Sequence, residues 1–280
     1  MVQNSVLPLV RCLVLCTGAM LGFHGAQPAA ASQGVSSAAG LIHSRIVTRD
    51  RGQVRVERLQ LAARQSGAHL RAVVSVTARN ELGRPVSRDL RVGPCTRGVP
   101  QYPFCPTTRV IRIRLNARQR RSITTSVTLR NPPTHPGAIE AAVVAQGHSP
   151  PFAFNSDAEL LLTAPAWQGP AAGRTYGVRF APGNAARRLN FDIPITRPDR
   201  ARIYAVWQGT AAPASATTTF SRCRRTDCTD AVLPPNPHRS RPGRFAVRPN
   251  LARDGADWVA LRAAFPSGTR LFEAALPWPA

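Results

Sequence analysis

Lysine is absent from all 280 residues, so each of the 37 basic side chains is an arginine. That absence removes chemistry: there is no P-loop lysine, no Schiff-base lysine and no Ser-x-x-Lys nucleophile pair. Methionine stops at Met20, aromatic residues make up 6% of the chain, and 14 acids stand against the 37 arginines, for a formal net charge of +23. A charge of this size points to polyanionic partners. Arginine in place of every lysine, together with 26 prolines, is also how GC-rich coding drift reads, so composition alone leaves both readings open. The chain also lacks G-x-S-x-G, H-E-x-x-H, a glycine-rich phosphate loop and any Asn-x-Ser/Thr acceptor.

Residues 1–31 read as a secretory signal peptide. Arg11 precedes a short apolar run from Cys12 to Phe23, and Ala29-Ala30-Ala31 supplies an A-x-A cleavage site before Ser32. The run is far shorter than the roughly 20 residues of a membrane span, and no later stretch approaches that length. The expected mature chain therefore has no transmembrane segment and is secreted, periplasmic or associated with a bacterial cell envelope. Its length, about 250 residues, suits one large β-domain or two ordinary ones.

Residues 32–52 are Ser/Ala/Gly-rich and then charged, which reads as a flexible segment. Beyond them strand signals follow one another at 54–62, 70–78, 86–92, 109–115, 122–130, 139–145 and 159–163, separated by turn chemistry such as His135-Pro136-Gly137. Leu70, Ala72, Val74, Val76 and Ala78 alternate with Arg71 and Arg79, and Ile111, Ile113 and Leu115 with Arg112 and Arg114, so one face is buried and the other wet. Residues 164–173, with two prolines and two glycines, read as a linker. A second set of strands is expected at 175–180, 189–195, 202–207, 217–223, 244–248, 258–265 and 271–276. The expected fold class is all-β: two tandem antiparallel β-sandwich domains, 53–163 and 174–280, after the signal peptide. Trp207 and Trp258, inside strands, are expected as core anchors.

Leu70 to Asn80, Leu115 to Thr124 and Pro136-Gly137 before Ile139 to Val144 carry a pattern that resembles the bacterial exported Ig-like and fibronectin-type modules, over about residues 53–163. The resemblance implies a sandwich fold and leaves the ligand open.

With Cys12 and Cys16 in the leader, Cys95, Cys105, Cys223 and Cys228 remain, and local pairing, Cys95 with Cys105 and Cys223 with Cys228, is the simplest framework for an exported chain. Neither spacing is C-x-x-C and only His238 lies near Cys228, so neither metal nor redox chemistry is expected. No cofactor is expected. The densest charge is Arg109 to Arg121, six arginines in 13 residues. Here Arg112 and Arg114 on a strand, with Arg118, Arg120 and Arg121 at the following turn, are expected to form one basic stripe. Arg224 and Arg225, beside Arg222, form a second candidate anion site. No aromatic residue interleaves either run, which excludes the stacking grip used on single-stranded nucleic acid.

The expectation is a non-enzymatic, envelope-associated binding or structural protein, with an anionic envelope polymer, another polyanion or a protein as partner. The alternatives are an extracytoplasmic hydrolase assembled from acids on separate strands and a periplasmic assembly chaperone.

Overall fold

A computed structural model describes residues 43–95, 105, 109–130, 133, 137–146, 156–182, 186–197, 200–209 and 216–279. The expected leader, and the part of the expected flexible segment up to residue 42, lie outside the described residues. Among the described residues the chain is all strand and short 3-10 turn, with no α-helix, and so with no helix able to cross a membrane.

In the first half the strands are β1 (His43–Thr48), β2 (Val54–Ser66), β3 (His69–Asn80), β4 (Val86–Cys95), β5 (Arg109–Leu115), β6 (Arg120–Arg130), β7 (Ala138–Ala145) and β8 (Ser156–Thr163). The second half contributes β9 (Thr175–Phe180), β10 (Ala186–Arg197), β11 (Arg200–Arg202), β12 (Tyr204–Gly209), β13 (Thr217–Arg224), β14 (Asp227–Val232), β15 (Arg244–Val247), β16 (Asn250–Ala252), β17 (Trp258–Ala264) and β18 (Arg270–Pro277). The expected alternation holds. Leu70, Ala72, Val74, Val76 and Ala78 are buried while Arg71 and Arg79 are exposed, and Ile113 and Leu115 are buried between the exposed Arg112 and Arg114.

All ladders are antiparallel and form two sheets. The first runs β15-β12-β10-β1-β8-β7-β4-β5, with β11 and β16 attached beside β10; the second runs β14-β13-β17-β18-β9-β2-β3-β6. One hydrophobic core lies between them, drawing Leu90 and Val143, Leu59 and Val74, Phe191 and Trp207, and Leu261 and Phe272 from both sheets and both halves. Trp207 stacks on Phe245 at 5.5 Å and meets Phe272 edge-on at 6.1 Å, tying the first sheet to the second.

Three expectations are corrected by the pairing. Residues 43–48 are not flexible: β1 is a central strand, hydrogen-bonded to β8 on one side and β10 on the other. Ile46 and Val47 are apolar residues flanked by polar ones, a pattern too short to show against the small-residue stretch before it. The expected boundary at 164–173 does not separate two closed sandwiches, because β1 joins β8 to β10 and β9 pairs directly with β2, so each sheet continues through both halves. The segment itself folds into two 3-10 turns, Ala164–Ala166 and Gly169–Ala171, and buries Trp167 in the common core. Trp258 is only half-buried, with Trp278 taking the core position instead.

The seam between β2 and β9 depends on one glycine. Gly177 has φ +127° and faces β2 so closely that a Cβ there would lie 2.1 Å from the Leu59 carbonyl oxygen. No other residue fits.

Candidate anion-binding face

Register decides which arginines meet, because residues directly opposite on antiparallel strands share a face with Cβ atoms about 4.5–5.5 Å apart. On the outer face of the second sheet, Arg55, Arg79 and Arg120 stand in one row across β2, β3 and β6. Arg58 is opposite Arg179 across β2 and β9, and Arg64 is opposite Arg71 across β2 and β3. Between these rows the side chains are short: Ser75 and Thr124 are hydrogen-bonded at 3.0 Å, and Thr77 and Ser122 at 2.9 Å. The guanidinium groups of the first two rows therefore stand beside a low floor of hydroxyls.

Some of this charge is compensated. A register shift between Val56 and Arg58 inserts Glu57 as a bulged residue, and its carboxylate accepts from Arg120 Nε at 2.6 Å. Arg79 meets Glu81 at 3.6 Å. Arg58, Arg64, Arg71 and Arg179 have no carboxylate at ion-pair distance among the described residues. Like charges directly opposite are destabilising by tenths of a kcal/mol to about 1 kcal/mol, so this face carries an unfavourable self-energy that a bound polyanion would relieve.

The expected single stripe is divided. Arg112 and Arg114 lie on β5, at one edge of the first sheet, while Arg120 lies on β6, at the edge of the second. Arg112 Nε is 3.5 Å from Asp89 Oδ1, Arg118 sits at φ +60° and donates to the Glu81 carbonyl, and Arg121 donates to the Arg114 carbonyl at 3.1 Å. The β5–β6 turn thus distributes the run over two sheets, with Arg121 still reaching the Arg114 backbone. Arg120 alone joins the arginine rows.

The second candidate cluster is a hairpin. β13 and β14 pair so that Cys223 and Cys228 are directly opposite and joined, and Cys95 is joined to Cys105, the local pairing expected. Arg222 is bound to Asp254, and the Arg225 carbonyl accepts from both Trp258 Nε1 at 2.9 Å and an Arg174 nitrogen at 2.7 Å. Arg174 also lies 4.3 Å from the Trp258 ring centre, a cation-π contact. Arg224 is exposed, and a cavity of about 280 Å³ between it, Arg222 and Asp254 has acids in its wall. It is the less favourable anion site.

Acids do converge elsewhere. On the outer face of the first sheet, Glu140 of β7 and Glu159 of β8 are 7% and 1% exposed, and Arg45 of β1 forms an ion pair with Glu159. Asp192 of β10 is directly opposite Arg45 and lies 3.8 Å from His43 Nδ1. Burial, reinforced by the charge of Glu159 and opposed by Arg45, pushes the Glu140 carboxyl up to about 8. Burial also raises Asp192 and lowers His43. No group of acids, histidines or cysteines fit to hold a metal occurs among the described residues.

No protein-family model matches the chain, and no curated protein sequence does. Among solved structures it is similar to red sea bream transglutaminase, at 12% identity and a TM-score of 0.22. The match covers 80% of this chain and 31% of that one, and a likeness so slight bears on neither fold nor activity.

Proposed function

We propose that this protein is an exported, non-enzymatic module of the bacterial cell envelope, two Ig-like halves fused through shared sheets, that binds anionic polymers on the outer face of its second sheet. The observation that carries the reading is the alignment of arginines in cross-strand rows: Arg55–Arg79–Arg120 and Arg58–Arg179 beside a floor of serine and threonine, and Arg64–Arg71 further along the same face. Guanidinium groups bind phosphate and carboxylate in fork geometry and release the counterions condensed on a polyanion. Such binding is strongly salt-dependent and indifferent to polymer sequence.

The test is the dependence of log K on log salt for the full chain with duplex DNA as a model polyanion. Replacing Arg58, Arg79 and Arg179 together with Gln flattens the slope by up to about 2.7, at roughly 0.9 per lost phosphate contact. Replacing Arg112, Arg114 and Arg121 leaves it nearly unchanged. Equal flattening by both triples refutes the assignment to this face.

The hydrolase reading has one supporting observation, the buried Glu140 beside Glu159, which pairs a protonated carboxyl with an ion-paired one.

A further inference from the structure

Near the β2–β3 turn, on the same outer face, Arg64 and Arg71 flank a depression of about 440 Å³. Its floor is apolar: Ala62 and Val73 are directly opposite one another two residues further along each strand. Its wall is Gly173, at φ +76°, whose amide donates to the Ala63 carbonyl at 2.8 Å. A Cβ on Gly173 would lie 3.3 Å from Arg64 Nε, so the glycine leaves that guanidinium room to lie along the wall.

Two features separate this place from the rest of the face. The Arg55–Arg79–Arg120 row has Glu57 and Glu81 beside it, and the Arg58–Arg179 pair has Glu273 as the next residue in its row. The Arg64–Arg71 row continues into Thr128 and has no acid in it. The other rows also stand over hydroxyls, whereas this one stands beside an apolar floor.

We propose that the Arg64–Arg71 cleft is a specific site for a phosphomonoester, its dianionic phosphate held between the two guanidiniums and the carbon skeleton next to the phosphate laid on Ala62 and Val73. The proposal rests on the reading of this face as anion-binding and adds to it a defined ligand class. Two fixed positive charges are matched by a group that carries close to two negative charges at neutral pH and offers three acceptor oxygens. A carboxylate or a sulfate ester brings one charge and leaves the arginine pair half compensated. The phosphate belongs either to a free small molecule or to the terminus of an envelope polymer.

The experiment is calorimetric titration of the full chain with phenyl phosphate, phenyl sulfate, inorganic phosphate and long-chain polyphosphate. Phenyl phosphate binds at one site, at least 10-fold more tightly than phenyl sulfate at pH 7.5. Its advantage shrinks between pH 7 and 5 as the second phosphate ionisation, near pH 6, is lost, while the arginines keep their charge. Inorganic phosphate binds more weakly, for want of the apolar contact, and the nearly isosteric Val73→Thr brings phenyl phosphate down toward it. Arg64→Gln and Arg71→Gln each reduce phenyl phosphate affinity 10-fold or more. Both positions are exposed, and equal far-ultraviolet circular dichroism checks the fold.

A free small molecule as natural ligand gives phenyl phosphate the stronger one-site binding. A polymer terminus gives polyphosphate binding whose one-site component is lost in Arg64→Gln. Equal affinity for phosphate and sulfate esters, or unchanged affinity in both arginine variants, overturns the site. If the Arg58/Arg79/Arg179 triple variant still shows its flattened salt slope on DNA, that failure is confined to the cleft; if the slope is unchanged, the wider reading of the face falls with it.

Discussion

Glu140→Gln tests the buried carboxyl pair through the pH dependence of stability. Glu140 is 7% exposed and sits beside Glu159, and its carboxyl is pushed up from 4.5 to about 8, first by burial and then by its neighbour's charge. A carboxyl whose pKa is higher folded than unfolded holds its proton longer in the native state. Its contribution is therefore fully present below about pH 4.5 and is lost as pH rises through about 8. At 1.36 kcal/mol per pKa unit the ceiling on that loss is on the order of 5 kcal/mol, and relaxation or water entry brings it to a few. Against a total of about 5–15 kcal/mol for a typical domain this is readily measured. Gln keeps the shape and has no proton to lose. Urea unfolding at pH 5.0, 6.5, 8.0 and 8.5 gives wild type and Glu140→Gln similar stability at the lowest pH, with the variant more stable by a few kcal/mol at the highest. His43 and Asp192 titrate in the same neighbourhood, but both proteins share them and they cancel in the difference. Parallel profiles from pH 5.0 to 8.5 refute the reasoning.

Gly177→Ala forces a Cβ into the Leu59 carbonyl at a positive φ, and thermal melting should show destabilisation of 3 kcal/mol or more, or no folded protein. Asp157→Ala strands the buried Arg88 guanidinium without its ion-pair partner, for a loss of about 3–5 kcal/mol in urea unfolding. Removing the Cys223–Cys228 bridge by paired serine substitution gives up a loop-closure term of about 2 kcal/mol, and hydrogen exchange should locate the loosening in β14, whose one strand partner among the described residues is β13. Arg71→Thr relieves the like-charge opposition to Arg64 and should raise stability by a few tenths of a kcal/mol to about 1 kcal/mol while weakening anion binding.

Strands with one wet face were legible because their alternation is visible residue by residue: β5 and β9 have the expected bounds, and β2, β3 and β6 differ only at their ends. β14 was not, since all six of its residues are exposed and Asp-Cys-Thr-Asp-Ala-Val has no buried face to write an alternation. β7 and β8 are buried throughout or nearly so and show as apolar runs, within which Glu140 and Glu159 read as isolated acids. The local disulfides were legible from spacing alone. The arginine rows were hidden for a different reason. Arg55, Arg79 and Arg120 are far apart along the chain, and only the β2–β3 register, shifted at the Glu57 bulge, and the regular β3–β6 register bring them abreast. The run at 109–121 is dense along the chain, and the β5–β6 turn divides it between two sheets. The outward positions of β2 and β3 carried the signal, but reading it required knowing the partner of each.

The clamped position of β1 has a mechanical consequence. Whatever precedes His43 transmits tension into a strand held on both sides by antiparallel neighbours, β8 and β10, whose hydrogen bonds run across the pulling direction. Traction on the N-terminal side therefore loads those bonds in shear, many at once, instead of peeling them one by one. An attachment on that side gives the protein a grip at the middle of its broader sheet, away from β5 and β15, its edge strands among the described residues.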